Sequence, residues 1–136
     1  MGQFDLVERL TIASDAERQL KVPLLVTSEY PKLRIYESHT NERGRKKIEM
    51  FNQGGELAIF ERCGMTGVFF GQTLIGSRLP SLTYMLGFPA EEDQKKAWDT
   101  FRADPEWKRM SAADEYKDAV SKVTNLILRP AQGSQI

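Results

Sequence analysis

The stretch MTGVFFGQTLIGSRLPSLTYMLGFP, residues 65–89, decides the fold. Its first part, 65–75, is rich in β-branched and aromatic residues, and 76–80 (GSRLP) carries residues that turns prefer. The part 81–88 (SLTYMLGF) is again typical of a strand, and Pro89 ends it because proline cannot donate a ladder hydrogen bond. We therefore predict two antiparallel strands joined by a loop.

A helical pattern lies on each side of this hairpin. Apolar residues recur at helical spacing through 41–63, where Gly54 and Gly55 indicate a kink or the close approach of another backbone. Gly64 follows as a residue suited to the end of that helix. After the hairpin, 90–101 (AEEDQKKAWDTF) opens with acidic residues, which the positive end of a helix dipole favours. We predict one helix over each segment.

Strand patterns lie outside both helices, at 32–38 (KLRIYES) and 121–130 (SKVTNLILRP). The resulting order is strand, helix, strand, strand, helix, strand, which is that of the ferredoxin-like βαββαβ arrangement. We therefore predict an α+β subunit with a four-stranded antiparallel sheet, occupying residues 30–131. Residues 1–29 are interpreted as an N-terminal extension or linker, and 132–136 as a C-terminal tail.

The run FRADPEWKRM, residues 101–110, raises a question of chemistry, since Asp104 and Glu106 could form a catalytic carboxylate pair. Pro105 favours a structural role instead, because it moves Asp104 out of helical geometry and can itself begin a new helix. Asp104 is then expected to cap that helix, with Glu106 in its first turn and Trp107 folding back as a hydrophobic anchor. We interpret the run as a helix break.

Composition argues against several classes of protein. The 136 residues contain 19 Lys and Arg and 19 Asp and Glu, so no net charge draws the chain to nucleic acid or to an anionic membrane. No apolar run approaches the roughly 20 residues that cross a bilayer, and the start MGQFDL does not resemble a signal peptide. Cys63 is the only cysteine and is expected to be buried and structural. We expect no nucleic-acid partner, no membrane insertion, no metal and no cofactor, and a cytoplasmic location.

The two faces of the predicted sheet differ in what covers them. Both helices pack on one face, yet the segments 68–71 and 84–86 are apolar on both faces, as in strands that are buried on both sides. A second copy of the chain would cover the remaining face, which predicts a homodimer whose two sheets close into an α/β barrel. We expect three side chains to point into the interior of that barrel: Arg34, Tyr36 and Tyr84.

The chain resembles the NIPSNAP family of dimeric α/β-barrel domains in four stretches: KLRIYES, KKIEMFNQGGELAIFERCGMTGVFFG, LTYMLGFPAEEDQKKAWDTFRADPEW and TNLILRP. The resemblance extends over about residues 30–131 and implies a ferredoxin-like subunit and a homodimeric barrel. It implies no settled activity. The segment VERLTIASDAERQLKVP, residues 7–23, resembles the end of the first domain in bacterial members that carry two tandem domains. The chain could therefore be the second domain of a longer protein.

Few residues are candidates for chemistry. His39, the only histidine, could act as a general base near Tyr36, or could hydrogen-bond within its own loop. Arg34 could bind an anionic group of a ligand, or pair with Glu37, Glu61 or another acid across the dimer interface, because a buried charge needs a partner. Tyr36 and Tyr84 could contact a ligand, or serve as core aromatics whose hydroxyl groups are hydrogen-bonded.

Two functions follow from these candidates. The first is a homodimeric binding or interaction module that could hold a small apolar ligand in its barrel. The alternative is a cofactor-independent oxygenase or isomerase that acts at the barrel mouth, with His39, Arg34 and Tyr36 as its site. The cations of 41–47 (NERGRKK) are expected to form a solvated helix face with local acidic partners.

Overall fold

The computed structural model describes residues 30–134. Its elements in chain order are β1 (Lys32–Glu37), α1 (Asn41–Asn52), α2 (Glu56–Arg62), β2 (Thr66–Gln72), β3 (Ser81–Gly87), α3 (Glu91–Ala103), α4 (Pro105–Ser111), a short 3-10 helix (Asp114–Tyr116) and β4 (Lys122–Ile127). The strands form one antiparallel sheet in the order β2-β3-β1-β4. The predicted α+β βαββαβ subunit is therefore confirmed, whereas the extension predicted over 1–29 lies outside the described residues.

The core lies between the sheet and the helices. Tyr84, in the middle of β3, is fully buried, and its ring lies 5.3 Å from that of Phe51 on α1 and 5.7 Å from that of Phe60 on α2. Phe60 in turn stacks on Phe101 of α3 at 4.9 Å. One continuous aromatic layer thus joins three helices to the sheet.

The helical pattern predicted over 41–63 forms two helices rather than one kinked helix. Gly55 takes a left-handed φ of 86°, a conformation that L side chains rarely adopt, and it separates α1 from α2. Gly54 is closely packed, since a Cβ there would lie 2.5 Å from the carbonyl oxygen of Met50 and 2.9 Å from Sδ of Met110. The break in direction is therefore confirmed, whereas the close approach at Gly54 is made by the preceding turn of α1 and by the side chain of Met110 rather than by another backbone.

The end of α2 is closed as the sequence indicates. Gly64 has a φ of 81°, and the amides of Gly64 and Met65 bond to the carbonyls of Glu61 and Phe60, which is the Schellman pattern. Cys63, just before Gly64, is buried as expected, and burial raises the pKa of its thiol.

The helix break predicted at 104–107 is confirmed. The carboxylate of Asp104 accepts hydrogen bonds from the amides of Glu106 and Trp107, and Pro105 begins α4. The ring of Trp107 lies 4.4 Å from that of Phe101. Arg62, at the end of α2, adds ion pairs to Asp104 at 2.7 Å and to Glu106 at 2.6 Å. Asp104 therefore caps α4, and both carboxylates hold the end of α2 against α4 through Arg62.

The opposite face of the sheet is apolar, and the helix contacts described above all lie on the other side. Cross-strand pairing aligns Leu33 with both Met85 and Leu126, and aligns Phe69 with Met85, so these four side chains form one row. Phe69 is 42% exposed and Leu126 is 44% exposed. We call this surface the open face. Met85, near the middle of the row, is only 9% exposed, so the open face is exposed chiefly at Phe69 and Leu126.

No helix among residues 30–134 is long and apolar enough to cross a membrane.

Candidate functional site

Arg34, Tyr36 and Tyr84 do lie together, but not where the sequence predicted. Their expected orientation, toward the interior of a barrel between two sheets, is wrong. Arg34 pairs directly across the sheet with Tyr84, and the three side chains point toward the helices, where Tyr36 and Tyr84 contact Phe51. Trp98 of α3 closes the layer over Arg34. We call Arg34, Tyr36, Tyr84 and Trp98, with Lys47 and Glu56, the buried polar cluster.

The two tyrosines form a neutral pair. Tyr84 donates its hydroxyl proton to the hydroxyl of Tyr36 at an O–O distance of 2.7 Å, and the rings meet edge to face at 5.2 Å. Burial raises the pKa of Tyr36 to about 12, although the positive charge of Arg34 opposes part of that rise. Burial also raises the pKa of Tyr84 well above its usual range. Both hydroxyls therefore stay protonated near neutral pH, as hydrogen-bonding groups rather than as bases.

Arg34 is held by aromatic rings instead of a carboxylate. Its guanidinium carbon lies 4.2 Å from the ring centre of Trp98, 5.2 Å from that of Tyr36 and 6.0 Å from that of Tyr84. The ion pair with Glu37, one of the partners expected for Arg34, does not form, because Glu37 lies three residues further along β1 on the strand's other face and pairs with Arg78 at 3.9 Å. The charge of Arg34 acts on the Glu56 carboxylate, whose pKa burial raises and Arg34 lowers, and the buried Nε of Arg34 has no hydrogen-bond partner among residues 30–134.

Lys47 and Glu56 bring a buried ion pair into the same layer. Nζ of Lys47 lies 2.6 Å from Oε2 of Glu56, and the side chains are only 4% and 1% exposed. Burial lowers the pKa of Lys47 and raises that of Glu56, while their mutual attraction opposes both shifts. The expectation that the cations of 41–47 form a solvated face is therefore wrong for Lys47, though Lys46 does pair with Glu49 near the surface at 3.0 Å.

Trp98 forms the outer wall of the buried polar cluster. The side chain is 7% exposed, and its indole Nε1 has no hydrogen-bond partner among the described residues. Nζ of Lys32, two residues before Arg34 on β1, lies 5.5 Å from the centre of the same ring. Burial lowers the pKa of Lys32, and the charges of Arg34 and Arg102 lower it further. This end of the cluster is therefore positively charged.

His39 lies apart from the cluster. It is exposed in the short connection between β1 and α1, next to Thr40, whose side chain caps α1. The structure gives it no hydrogen bond or ion pair within residues 30–134. An enzyme that used His39 as its base beside Tyr36 therefore finds no support in this geometry. Among the same residues, no group of three or more His, Cys, Asp or Glu side chains could hold a metal ion.

Sequence reasoning missed Lys47, Glu56 and Trp98 as members of the cluster. A signal was present for the first two. Lys47 lies four residues before the buried Phe51, and Glu56 lies four residues before the buried Phe60, so each falls on the apolar stripe of its helix. Two opposite charges on the apolar stripes of consecutive helices indicate a buried pair. Nothing comparable in the sequence indicates that the indole N–H of Trp98 lacks a partner.

Comparison with solved structures shows the same fold. A protein from Agrobacterium tumefaciens superposes with a TM-score of 0.68 at 19% identity, over 77% of this chain and 96% of the other. An uncharacterized NIPSNAP-like domain protein from Burkholderia xenovorans gives a TM-score of 0.67 at 24% identity, over 75% and 84%. A NIPSNAP family protein, also from Agrobacterium tumefaciens, gives 0.65 at 20% identity, over 77% and 95%.

Family membership rests on the sequence match. No curated protein sequence matches this chain. The family model described as NIPSNAP matches residues 30–135, which is most of this chain. The chain therefore belongs to the NIPSNAP family.

Proposed function

We propose that this chain is a binding or interaction module that works as a homodimer, with the open faces of two copies packed together. The observation that carries the proposal is the row formed by Leu33, Phe69, Met85 and Leu126 on the open face. Phe69 is 42% and Leu126 is 44% exposed, whereas Met85 is only 9% exposed in the single chain. Packing two copies would therefore gain about half of the roughly 1.5–3 kcal/mol of a fully buried side chain for each of Phe69 and Leu126, and a two-fold dimer makes each contact twice. This gain offsets part of the entropic cost of association.

A second copy fits this face better than a charged partner does. A two-fold interface needs a surface that is complementary to itself, and an apolar row on a twisted sheet meets that need. The whole chain has equal numbers of acidic and basic residues, so two copies approach without a net repulsion.

The same proposal includes a ligand. Ile35, Thr83 and Thr124 align in the row next to the apolar one, so small hydroxyl-bearing side chains widen the space between two facing sheets. A small apolar ligand could occupy that space. A cytoplasmic location and the origin of residues 1–29 as the end of a preceding tandem domain belong to the proposal as well, the latter supported by the resemblance of residues 7–23.

Light scattering at micromolar concentration tests the dimer. We expect about twice the chain mass of 15.5 kDa. Leu126→Lys should convert the dimer to a folded monomer, because it places a charge in the apolar row. Ile75→Lys is the matched control, since Ile75 is 94% exposed on the loop between β2 and β3 and away from the sheet. A wild-type monomer, or equal effects of the two substitutions, would contradict the proposal.

Native mass spectrometry of the protein as purified tests the ligand. An additional mass that is retained by the wild-type dimer and lost in the Leu126→Lys monomer would support a ligand between the sheets. A dimer with twice the mass of the chain and no additional mass would contradict the ligand and support an interaction module alone.

A further inference from the structure

Two buried hydrogen-bond donors without partners lie side by side. Nε of Arg34 and Nε1 of Trp98 both lack an acceptor among the described residues, and the guanidinium lies 4.2 Å from the indole ring centre. Nearly all buried polar groups in folded proteins are hydrogen-bonded, so each such exception needs an explanation. Two exceptions on touching side chains point to one shared acceptor that belongs to neither β1 nor α3.

The charge balance of the buried polar cluster indicates the sign of that acceptor. Lys47 and Glu56 sum to zero whether they are ionised or have exchanged their proton. Arg34 therefore adds a positive charge to the cluster, because guanidinium does not lose its proton in proteins, and its side chain is only partly buried. Lys32 lies at the same end, and the charges of Arg34 and Arg102 both lower the pKa of Lys32, although Arg102 also forms an ion pair with Asp99. An anion placed there would relieve this repulsion.

We propose that Arg34 and Trp98 form the recognition end of a binding site for a small organic carboxylate with an aromatic or other apolar body. A carboxylate oxygen can accept from the guanidinium and from an indole N–H at once, and its negative charge is attracted by both Arg34 and Lys32. The apolar body fits the surroundings, since the other groups near Arg34 are the rings of Tyr36 and Tyr84.

This site is independent of the proposed dimer. It lies on the helix-covered side of the sheet, whereas the proposed dimer interface is the open face. A single chain supplies every residue of the site, so a monomeric variant keeps it intact. If the carboxylate site is disproved, the dimer proposal is unaffected, and if the dimer is disproved, the carboxylate proposal is unaffected.

The indole N–H resonances of the full chain provide a direct test. Trp98 and Trp107 are the two tryptophans, and Trp98→Phe identifies which of the two ¹H–¹⁵N peaks belongs to Trp98. Titration with benzoate should move the Trp98 peak saturably and leave the Trp107 peak nearly in place. Benzamide, which has the same shape without the charge, should bind at least about tenfold more weakly, because charge-assisted hydrogen bonds are roughly twice as strong as neutral ones.

Variants separate this site from general attraction of anions. Arg34→Gln should weaken benzoate binding by about tenfold or more. Arg45→Gln, at an exposed position of α1, is the matched control and should leave binding unchanged. Trp98→Phe keeps the ring and removes the donor, so calorimetry should show a severalfold weaker affinity, and this variant keeps the test valid if Arg34→Gln does not fold. The proposal is overturned if the Trp98 peak shows no saturable shift, if benzamide equals benzoate, or if Trp98→Phe binds as wild type.

Discussion

Removing one partner of the buried Lys47–Glu56 ion pair should destabilise the domain far more than removing both. Glu56→Gln leaves the Lys47 ammonium without an anion, and its remaining acceptors are the neutral amide oxygen of the new side chain and Sδ of Met50 at 3.3 Å. Because both side chains are almost completely buried, the loss should be about 3–5 kcal/mol, the range for breaking a buried pair. An exposed pair would lose only about 0–1 kcal/mol. With a shift of roughly 4–8 °C per kcal/mol in a domain of this size, the melting temperature should fall by more than about 10 °C.

Urea denaturation followed by circular dichroism measures this effect in a double-mutant cycle. The cycle consists of Lys47→Met, Glu56→Leu and the double variant. We expect each single variant to lose a similar amount to Glu56→Gln, and the double variant to recover most of the stability because no buried charge remains. In Lys47→Met alone, burial holds the pKa of Glu56 above its value in the unfolded chain. Its stability should therefore rise as pH falls from 7 toward 5 and decline as pH rises through the folded-state pKa. Single losses below about 1 kcal/mol, or a double loss equal to the sum of the single losses, would refute the reasoning.

Three further predictions concern the helix junctions. Asp104→Ala should lower the melting temperature more than Asp104→Asn, because Asn keeps a side-chain oxygen that can cap α4. Arg62 and the capping amides hold the pKa of Asp104 at about 2. In thermal scans, the stability advantage of wild type over Asp104→Asn should therefore vanish as pH falls from about 4 to about 2. Trp107→Ala should lower the free energy of unfolding in urea by up to about 3 kcal/mol, less than the loss at a fully buried aromatic residue, because Trp107 is half-buried. Glu106→Gln should leave benzoate binding unchanged. Gly54→Ala should lose about 1–3 kcal/mol through its clash with Met50 and Met110, while Gly71→Ala, where a Cβ meets nothing within 4 Å, should lose less; equal losses would contradict the packing argument.

The order of strands and helices could be predicted because each element is indicated by residues that are neighbours along the chain. The turn residues 76–80 separate two strand patterns, and Pro105 can only begin a helix or stop one, so β2, β3 and the α3–α4 junction followed from neighbours along the chain. The one helix predicted over 41–63 was divided because Gly55 adopts a left-handed conformation, which a glycine permits but does not require.

The direction of the two sheet faces could not be predicted in the same way. Alternation along β1 shows that Arg34 and Tyr36 share a face, but not which face the helices cover. Polarity suggested the wrong one, because a tyrosine or arginine can bury its body against rings while its polar end finds a hydroxyl or a π-face. The Lys47–Glu56 pair depends on the turn at Gly55, which brings two helices together. That geometry is tertiary, and residue type alone does not reveal it.

The position of β1 in the sheet has a consequence for the order of folding. β1 is the first described strand along the chain, yet it is central and pairs on one side with β3 and on the other with β4, the last strand. Its hydrogen bonds to β4 can form only after nearly all of the domain has left the ribosome, whereas the Arg34–Tyr84 contact needs only about half of it. Such distant pairings carry a high entropic cost of loop closure, which slows folding. The β1–β4 pairing should therefore form late, as one of the last parts of the newly made domain to become protected from hydrogen exchange.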